Sequence, residues 1–520
     1  MATALLALGS LDAVAEIPPL GDDYEMLSHG PGEFARAYLR DFGWGRPIGI
    51  GILDLLNTVR AMSGLPLVGV ILAMRVAVLG AVYITLRRLY AFPQGLALLS
   101  VALIAWNPAA SESWVLLSSL HLAVSVVPLL ISCGLYARAL GAVPQHLVPD
   151  VDPAPEPRDR RRWLLGAAAA QTVVNFTYEQ GLLAIPAFVA VLSILPRPAS
   201  LWRSSRLTVL GVAGAVALVC GLTMVMTGYV SSRSTATTAP AAELSDFVSA
   251  LDVLWMGFAQ HHLWRIVEVF RTKRAAWWDS SSLGFVAAMS TLVAAAFVTS
   301  QLLRDRRRFA TPLNAPLALA SFAAAYACLL PQGLAYPGYT VVSRLYYLPG
   351  AFVALAVAAL MPLVGRVPRY ALGVAAGGVL LWLGTVTRRY YEDMRLGSRM
   401  VRAVARSVAQ MPSPLRRQGL LVIAPNNVGT FSTSAVEYWS LRPAVRELTG
   451  INPEGPLFFV TDCEELRREQ PVIHAEGREP LRWAAVLRYR SSGVQTARGS
   501  DAACEGAISG TPAPPRMGGV

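Results

Sequence analysis

Charge is the scarcest property of this sequence. Only 15% of its 520 residues are charged and 54% are hydrophobic, and the mean hydropathy is +0.46. A soluble domain usually carries about a quarter charged residues. The deficit therefore excludes an ordinary soluble globular protein and indicates that lipid surrounds most of the chain. Lysine is almost missing as well: Lys273 is the one lysine, so arginine supplies nearly all of the positive charge in a chain whose net charge is +12.

Paired cysteines and the common motifs of soluble enzymes are also missing. The five cysteines show no C-x-x-C spacing, and three of them lie in apolar runs, where cysteine behaves as a small hydrophobe. This leaves Cys463 and Cys504 as the candidates for a disulfide. We find no Walker A sequence, no G-x-S-x-G motif and no zinc-ligand spacing, so we predict no metal site from spacing. The basic residues cluster between apolar runs, which is typical of membrane orientation and not of nucleic-acid binding.

Long apolar runs fill most of the chain. They are 66–86, 94–108, 114–138, 163–177, 181–196, 207–229, 282–303, 312–331, 346–364 and 369–387. The apolar segment 1–12 is shorter than the roughly 20 residues that a crossing needs. It crosses if its helix continues to about Leu20 past Asp12 and Glu16, or if the true start lies further upstream. Counting this segment, we predict an all-α polytopic membrane protein with about eleven transmembrane helices.

Arginine clusters fall on alternate connections between these runs. The clusters are Arg87/Arg88, Arg158/Arg160/Arg161/Arg162, Arg197/Arg203/Arg206, Arg304/Arg306/Arg307/Arg308 and Arg366/Arg369. The positive-inside rule makes their side cytoplasmic. We therefore predict a multi-pass plasma-membrane protein with a cytoplasmic N-terminus. The outer loops 21–65 and 230–281 and the whole C-terminal segment lie outside.

Composition divides the chain into three parts. Residues 1–387 form the transmembrane domain, and residues 388–492 read as a small extracytoplasmic α/β domain. In that domain 420–425 and 457–460 are predicted strands, and 434–449 is a predicted helix. Residues 493–520 are rich in Gly, Ala, Pro and Ser, which predicts a disordered tail.

Acidic and aromatic residues stand out in the first outer loop, which is also predicted to hold a surface helix at about 48–62. The segment Gly21-Asp22-Asp23-Tyr24-Glu25 is followed by Gly45-Arg46-Pro47. Paired carboxylates outside a membrane can bind a divalent cation, act as a general base or cap a helix, or they can simply form a turn after Pro18-Pro19, where Asp is favoured. Spacing alone leaves these four alternatives open.

Two further stretches carry candidate residues. Glu179 lies between two short apolar runs, and an ionisable group near membrane depth is a functional hypothesis; an exposed turn residue is the alternative. The 230–281 loop becomes amphipathic from Phe247 to Phe270 and is rich in tryptophan. This pattern predicts an interfacial helix that is compatible with contact to a lipid-linked anionic substrate. His261 and His262 are adjacent and would diverge on a helix, which argues against a metal pair.

These motifs together resemble the polytopic glycosyltransferases of the GT-C fold that use lipid-linked sugars, nearest to the phage-type O-antigen glucosyltransferase group. The resemblance rests on the Asp-Asp-Tyr segment before Gly-Arg-Pro, and on Tyr178-Glu179-Gln180-Gly181-Leu182 as an acidic turn. Ser343-Arg344-Leu345-Tyr346-Tyr347-Leu348-Pro349 resembles an Arg-Tyr-Leu-Pro motif. The short first helix and the lack of a second acidic motif of comparable strength depart from the family pattern.

The resemblance implies a reaction and roles for individual residues. Asp22 or Asp23 would deprotonate an acceptor hydroxyl, which attacks the anomeric carbon and inverts it. Polyprenyl phosphate would leave, and the acceptor would be a cell-envelope glycan, lipid or protein. Arg344, and after it Arg46, would hold the phosphate, because a guanidinium can bind two oxygens at once. The other implied substrate-binding residues are Glu179, Tyr24 and Tyr346.

Other polytopic proteins share parts of this pattern. A polysaccharide polymerase or ligase would also combine long outer loops with arginines, although it would not need an acidic pair in the first outer loop. A secondary transporter would usually show internal repeats and broken helices, and the sequence shows no convincing repeat. A non-enzymatic scaffold is the third alternative.

Overall fold

The structure of this chain is a computed structural model. It describes residues 1–17, 19–20, 22–42, 45–107, 111–141, 157–194, 203–227, 282–305, 314–335, 347–361, 369–425, 427–428, 433–434, 438–455, 457–460, 463, 485–490 and 493–497. The chain divides into two compact units. Unit 1 contains Met1–Pro18 and Gly30–Tyr391, and unit 2 contains Pro19–His29 and Glu392–Val520.

Helices make up nearly all of the described chain before the C-terminal sheet. In chain order they are α1 (Ala2–Leu8), α2 (Leu11–Glu16), α3 (Asp22–Leu27), α4 (Glu33–Phe42), α5 (Pro47–Ser63), α6 (Leu67–Arg88), α7 (Gln94–Ala105), α8 (Ser111–Val115), α9 (Leu120–Ala139), α10 (Pro157–Thr177), α11 (Gly181–Ile194), α12 (Arg203–Met226), α13 (Ser282–Asp305), α14 (Asn314–Ala335), α15 (Tyr347–Leu360) and α16 (Arg369–Gln410). Each of the ten apolar runs coincides over most of its length with one of these helices, and the helix predicted at 48–62 is α5. The mostly helical architecture is therefore confirmed.

Several of these helices have the length and composition of membrane spans. Among the described residues, four qualify: Leu67–Arg88, Leu117–Ala139, Arg206–Met226 and Phe285–Arg304. Four apolar helices are shorter: Gln94–Ala105, Gly181–Ile194, Ala315–Cys328 and Tyr347–Leu360. These long apolar helices indicate a multi-pass membrane protein. The count of eleven crossings and the orientation of the helices stay predictions.

The N-terminal segment is not one helix. α1 and α2 contain 7 and 6 residues and are separated at Gly9 and Ser10, so the prediction of a helix running to about Leu20 is wrong. The Ser10 hydroxyl donates to the carbonyl of Ala7 at 3.1 Å, and such a local bond competes with a regular helix. At Gly9 an added Cβ would lie 2.8 Å from the Thr291 hydroxyl of α13, so the break packs closely against a neighbouring helix.

The last long helix extends beyond the apolar run that predicted it. The run ends at residue 387, whereas α16 continues without interruption to Gln410 and contains 42 residues. The boundary between the two units, after Tyr391, falls inside it. Its second part, residues 388–410, contains six arginines and three alanines, which favour helix, and no proline follows until Pro412.

The core of unit 1 surrounds α7. This helix is buried on almost all sides and contacts α6, α13 and α15, as expected for a helix that is apolar all round. A buried polar link joins three other helices. The Tyr136 hydroxyl donates to Gln171 Oε1 at 2.7 Å, and Gln171 Nε2 donates to the Ala213 carbonyl at 2.9 Å. This link fixes the positions of α9, α10 and α12.

Unit 2 contains a small mixed sheet. After α17 (Ser413–Gln418), its elements are β1 (Leu420–Ile423), β2 (Asn427–Val428), β3 (Thr433–Ser434), α18 (Tyr438–Thr449), β4 (Leu457–Val460), β5 (Ala485–Arg490) and β6 (Gly493–Ala497). The strand order is β4-β1-β5-β6, with β1 parallel to both neighbours and β5 antiparallel to β6. β2 and β3 form a separate antiparallel pair. The α/β character of this unit and its two predicted strands are confirmed.

Two structural details of the C-terminal unit differ from what the sequence predicts. The helix predicted from residue 434 begins at Tyr438. Residues 493–497, placed in a disordered tail, form β6, because pairing with β5 satisfies their backbone groups. Cys463 is disulfide-bonded. The three cysteines of the helices, Cys133, Cys220 and Cys328, are free and buried.

Close packing at Gly95 gives a test of the helical core. A Cβ added there would lie 2.6 Å from the backbone nitrogen of Leu302, so Gly95→Ala must push α7 and α13 apart. We expect the free energy of unfolding to fall by about 1–3 kcal/mol, measured as a lower thermal midpoint of the purified protein. Gly80→Ala on α6 is the control, because nothing lies within 4 Å of its added Cβ. Equal midpoints for the two variants would contradict this packing.

Candidate functional site

The acidic pair lies on a helix. Asp22 and Asp23 open α3, so the predicted outer loop contains a short helix at this point. The Asp23 carboxylate accepts a hydrogen bond from the backbone N–H of Leu20 at 3.3 Å, and carboxylates are favourable at a helix N-terminus. Asp23 is fully buried, whereas Asp22 is half-buried. The two carboxylates therefore have different access to a substrate.

Tyr24 lies inside unit 2. Its side chain is fully buried, and burial raises the pKa of its phenol well above the ordinary value, with Arg402 acting in the opposite direction. Asp23 and Glu447 raise the pKa further. The phenol therefore stays protonated and neutral across the working pH range and cannot serve as a base.

α3 packs against α18 of the same unit. Arg446 of α18 donates from Nη2 to the backbone carbonyl of Ser28, just after α3 ends. His29 Nδ1 lies 2.8 Å from the carbonyl of Glu25, which holds the last turn of α3. The acidic segment is therefore part of the unit that contains the C-terminal sheet.

Arg46 and Glu179 meet in unit 1, although 133 residues separate them in the sequence. The Arg46 guanidinium binds Glu179 at two points, with Nε donating to Oε2 at 2.6 Å and Nη2 donating to Oε1. The exposed fractions of the two side chains are 11% and 20%. A two-point pair with this little exposure has a fixed geometry.

Local sequence explains how each partner is placed. Arg46 immediately precedes α5, whose first residue is Pro47, and proline at this position favours the start of a helix. Glu179 lies in the short turn between α10 and α11. The Arg46 guanidinium also lies 4.2 Å above the centre of the Tyr178 ring, within the range of a cation–π contact.

Close packing surrounds this pair. At Gly49 on α5, an added Cβ would lie 2.5 Å from the Thr177 carbonyl and 3.1 Å from His121. The rings of His121 and Tyr178 are 6.0 Å apart. α5, α9 and the α10–α11 turn therefore form one rigid corner around Arg46.

Several predicted residues lie outside the described part of the chain. Arg344 and Tyr346 are among them, as is the whole of the 230–281 loop with its tryptophans and histidines. Tyr347, the next residue after Tyr346, is buried, and its ring contacts Trp114 edge to face at 5.2 Å. Among the residues that the structure describes, no group of three or more His, Cys, Asp or Glu is arranged to hold a metal ion.

Buried charges within unit 1 form a second polar cluster that the motifs did not indicate. Arg388 of α16 pairs with Asp12 of α2 at 2.9 Å. The fully buried Arg75 of α6 donates to the Ser10 hydroxyl and, at 3.3 Å, to the Ala105 carbonyl. The one sequence signal for this cluster is an ionisable residue inside an apolar run, which Arg75 shows clearly.

The Arg46–Glu179 pair gives a stability prediction. Glu179→Gln leaves a mostly buried guanidinium without its carboxylate, so we expect the free energy of unfolding to fall by about 1–3 kcal/mol. Asp159→Asn is the control, because its pair with Arg162 is exposed and 3.8 Å long; such surface pairs contribute about 0–1 kcal/mol. Thermal unfolding of both variants in the same detergent measures the difference. Equal losses would show that the Arg46 pair is no stronger than a surface pair.

The contact between α18 and the end of α3 gives a second prediction. Arg446→Ala removes the donor to the Ser28 carbonyl, so amide hydrogen exchange in residues 19–29 should become faster by about fivefold or more, as for a bond of roughly 1 kcal/mol. Arg442→Ala on the same helix is the matched control, since Arg442 donates to Pro453 and Gly455. If exchange in 19–29 is the same in both variants, Arg446 does not hold α3.

No model of a known protein family and no curated protein sequence matches this chain. Among solved structures, it is similar to the arabinofuranosyltransferase AftD from mycobacteria, with 15% identity, a TM-score of 0.34, and coverage of 89% of this chain and 32% of that one. It is also similar to the oligosaccharyltransferase AglB from Archaeoglobus fulgidus, solved with an inhibitory peptide and a dolichol-phosphate. That likeness has 12% identity, a TM-score of 0.40, and coverage of 88% and 64%. This chain thus spans less than two thirds of either protein, and at these TM-scores neither likeness assigns an activity to it.

Proposed function

We propose that this protein is an integral membrane glycosyltransferase. It transfers a sugar from a polyprenyl-phosphate donor to a glycan, lipid or protein of the cell envelope, on the outer face of the membrane. The hydroxyl of the acceptor attacks the anomeric carbon, the bond to the phosphate oxygen breaks, and the configuration inverts. An aspartate takes the proton of the hydroxyl, and the polyprenyl phosphate leaves with the bonding electrons.

The observation that carries this proposal is the pairing of Arg46 with Glu179. The two residues belong to two separate motifs that were singled out from the sequence, and in the fold they share one rigid corner of unit 1. Glu179 balances the charge of Arg46. A donor phosphate therefore has to compete with the Glu179 carboxylate for the Arg46 guanidinium. In this proposal Glu179 positions Arg46 in the free enzyme, and the phosphate replaces part of that contact.

The two aspartates take different roles in this proposal. Asp22 is proposed as the general base, because its half-buried carboxylate is more accessible than the buried carboxylate of Asp23. Asp23 is a positioning residue, because its buried carboxylate is bonded to the backbone at Leu20. Tyr24 anchors α3 through its buried ring.

The proposal also covers the residues at the donor phosphate and the side of the membrane on which unit 2 lies. Arg344 and Tyr346 are proposed at the donor phosphate on the strength of their motif alone. The outer location of the C-terminal unit is supported by the disulfide bond of Cys463, because disulfides persist in oxidising compartments. The scheme needs little acid assistance, since a polyprenyl phosphate is already a good leaving group.

Separate substitution of the two aspartates tests the proposal. Asp22→Asn should lower the turnover number by about 10²–10⁴-fold, the usual contribution of a general base, with membrane insertion and thermal midpoint unchanged. Asp23→Asn should lower the thermal midpoint, because a buried hydrogen bond loses its charge. Transfer of radiolabelled sugar from polyprenyl phosphate in membrane vesicles measures the activity.

Glu25→Gln is the control for this experiment, because it removes a half-buried carboxylate from the same helix. It should leave the turnover number close to the wild-type value. Full activity of the Asp22→Asn variant, or an equal loss in the Glu25→Gln variant, would overturn the assignment of the base.

A secondary transporter is the second candidate, and the buried charges favour it. Ionisable residues inside a membrane bundle often mark a path for ions, and Arg75 and the Asp12–Arg388 pair are buried in this way. The two functions differ in a simple assay. Sugar transfer without solute flux in reconstituted vesicles supports the transferase, and flux without transfer supports the transporter.

A further inference from the structure

The last turns of α6 form an open cleft that the proposed reaction does not use. We call it the α6 cleft; its volume is about 390 Å³, and Tyr83, Ile84, Arg87 and Arg88 line it. α6 is one of the four helices long and apolar enough to cross a membrane. Its 22 residues extend about 33 Å at 1.5 Å per residue, close to the roughly 30 Å of a hydrocarbon core. The cleft therefore lies at the end of the span, at the depth of lipid headgroups.

Arginines concentrate positive charge at this cleft. Arg87 donates to the Phe92 carbonyl at 2.7 Å, which holds its side chain in place. Arg138 of α9 donates to the carbonyls of Arg88 and Leu89 at the end of α6. In the described part of the chain, no carboxylate forms an ion pair with any of these three arginines.

The turn after α6 keeps these groups together. Phe92 donates its backbone N–H to the Leu86 carbonyl at 3.2 Å, and Ala91 between them has a φ of 54°. A residue other than glycine rarely adopts this left-handed conformation. The tight turn returns the Phe92 carbonyl to Arg87, so the position of the Arg87 guanidinium depends on it.

The other wall of the cleft is apolar. Ile84 is 59% exposed, and Tyr83 is half-buried beside it. Aromatic residues with a polar tip are enriched at the membrane interface. One surface thus presents two guanidinium groups next to exposed hydrocarbon, and a molecule with a phosphate joined to acyl chains complements both.

We propose that the α6 cleft binds the headgroup of an anionic phospholipid. Arg87 and Arg88 contact the phosphate, and Ile84 and Tyr83 pack against the beginning of the acyl chains. All four lining residues belong to α6. Basic clusters at the cytoplasmic end of a membrane helix bind anionic headgroups, and the positive-inside rule gives this side to Arg87 and Arg88. This site is independent of glycosyl transfer.

Titration of the purified full-length protein with lipid tests the site. Phosphatidylglycerol added to the detergent micelles should raise the thermal midpoint by mass action, and phosphatidylcholine should raise it less. In Arg87→Gln/Arg88→Gln the apparent affinity for phosphatidylglycerol should fall by about 25-fold, or roughly fivefold for each arginine. Arg304→Gln is the matched control, because Arg304 ends another candidate span outside the cleft, and it should keep the wild-type affinity.

Three results would overturn the site. An equal loss of affinity in Arg304→Gln would mean general attraction to basic helix ends. Equal midpoints with the two lipids would mean that the charge of the headgroup is not recognised. A midpoint shift of the same size with inorganic phosphate would mean a free-anion site without a lipid.

A second variant keeps the test valid if the double glutamine variant fails to insert. Arg87→Lys/Arg88→Lys retains the positive charge that orients α6 but loses the two-point geometry of the guanidinium. We expect its affinity for phosphatidylglycerol to fall between those of the wild type and the glutamine variant. An affinity equal to the wild-type value would contradict guanidinium contact with the phosphate.

Discussion

The ion pair between Asp12 and Arg388 is the interaction on which unit 1 most depends. It joins residues that are 376 positions apart, and both side chains are almost completely buried. A charge buried in an apolar interior requires a partner, and removing one member of such a pair typically costs about 3–5 kcal/mol. The pair thereby attaches the short helix α2 to the long helix α16.

Arg75 links two more helices to this region, because it lies on α6 and donates to Ala105 of α7 as well as to Ser10. It has no carboxylate partner among the described residues, and it instead donates to a hydroxyl and to a backbone carbonyl. Its guanidinium also lies 5.1 Å from the Trp114 ring. Hydrogen bonds around the break between α1 and α2 therefore add to the packing of their buried apolar residues. The Arg46–Glu179 corner differs, because its carboxylate is 20% exposed, against 3% for Asp12.

The fold follows from the sequence further than the site does. Apolar runs predict every long helix, because lipid demands continuous hydrophobic residues and intrahelical hydrogen bonds. Arg46 and Glu179 could each be found as polar residues at the ends of apolar runs, although no spacing rule could pair them across 133 residues. Helix capping was one of the alternatives for Asp22 and Asp23, but the sequence could not select it, because α3 packs against α18, which lies more than 400 residues away.

The position of α3 also has a consequence for biosynthesis. Residues 19–29 leave the ribosome before Arg446, which holds the end of α3 and lies 418 residues further along. At about 5–20 residues per second, translation of that interval lasts roughly 20–80 s. During this time the acidic segment has no surface of unit 2 on which to fold. Its native conformation is therefore a late event, completed only after all the helices of unit 1 have been synthesised.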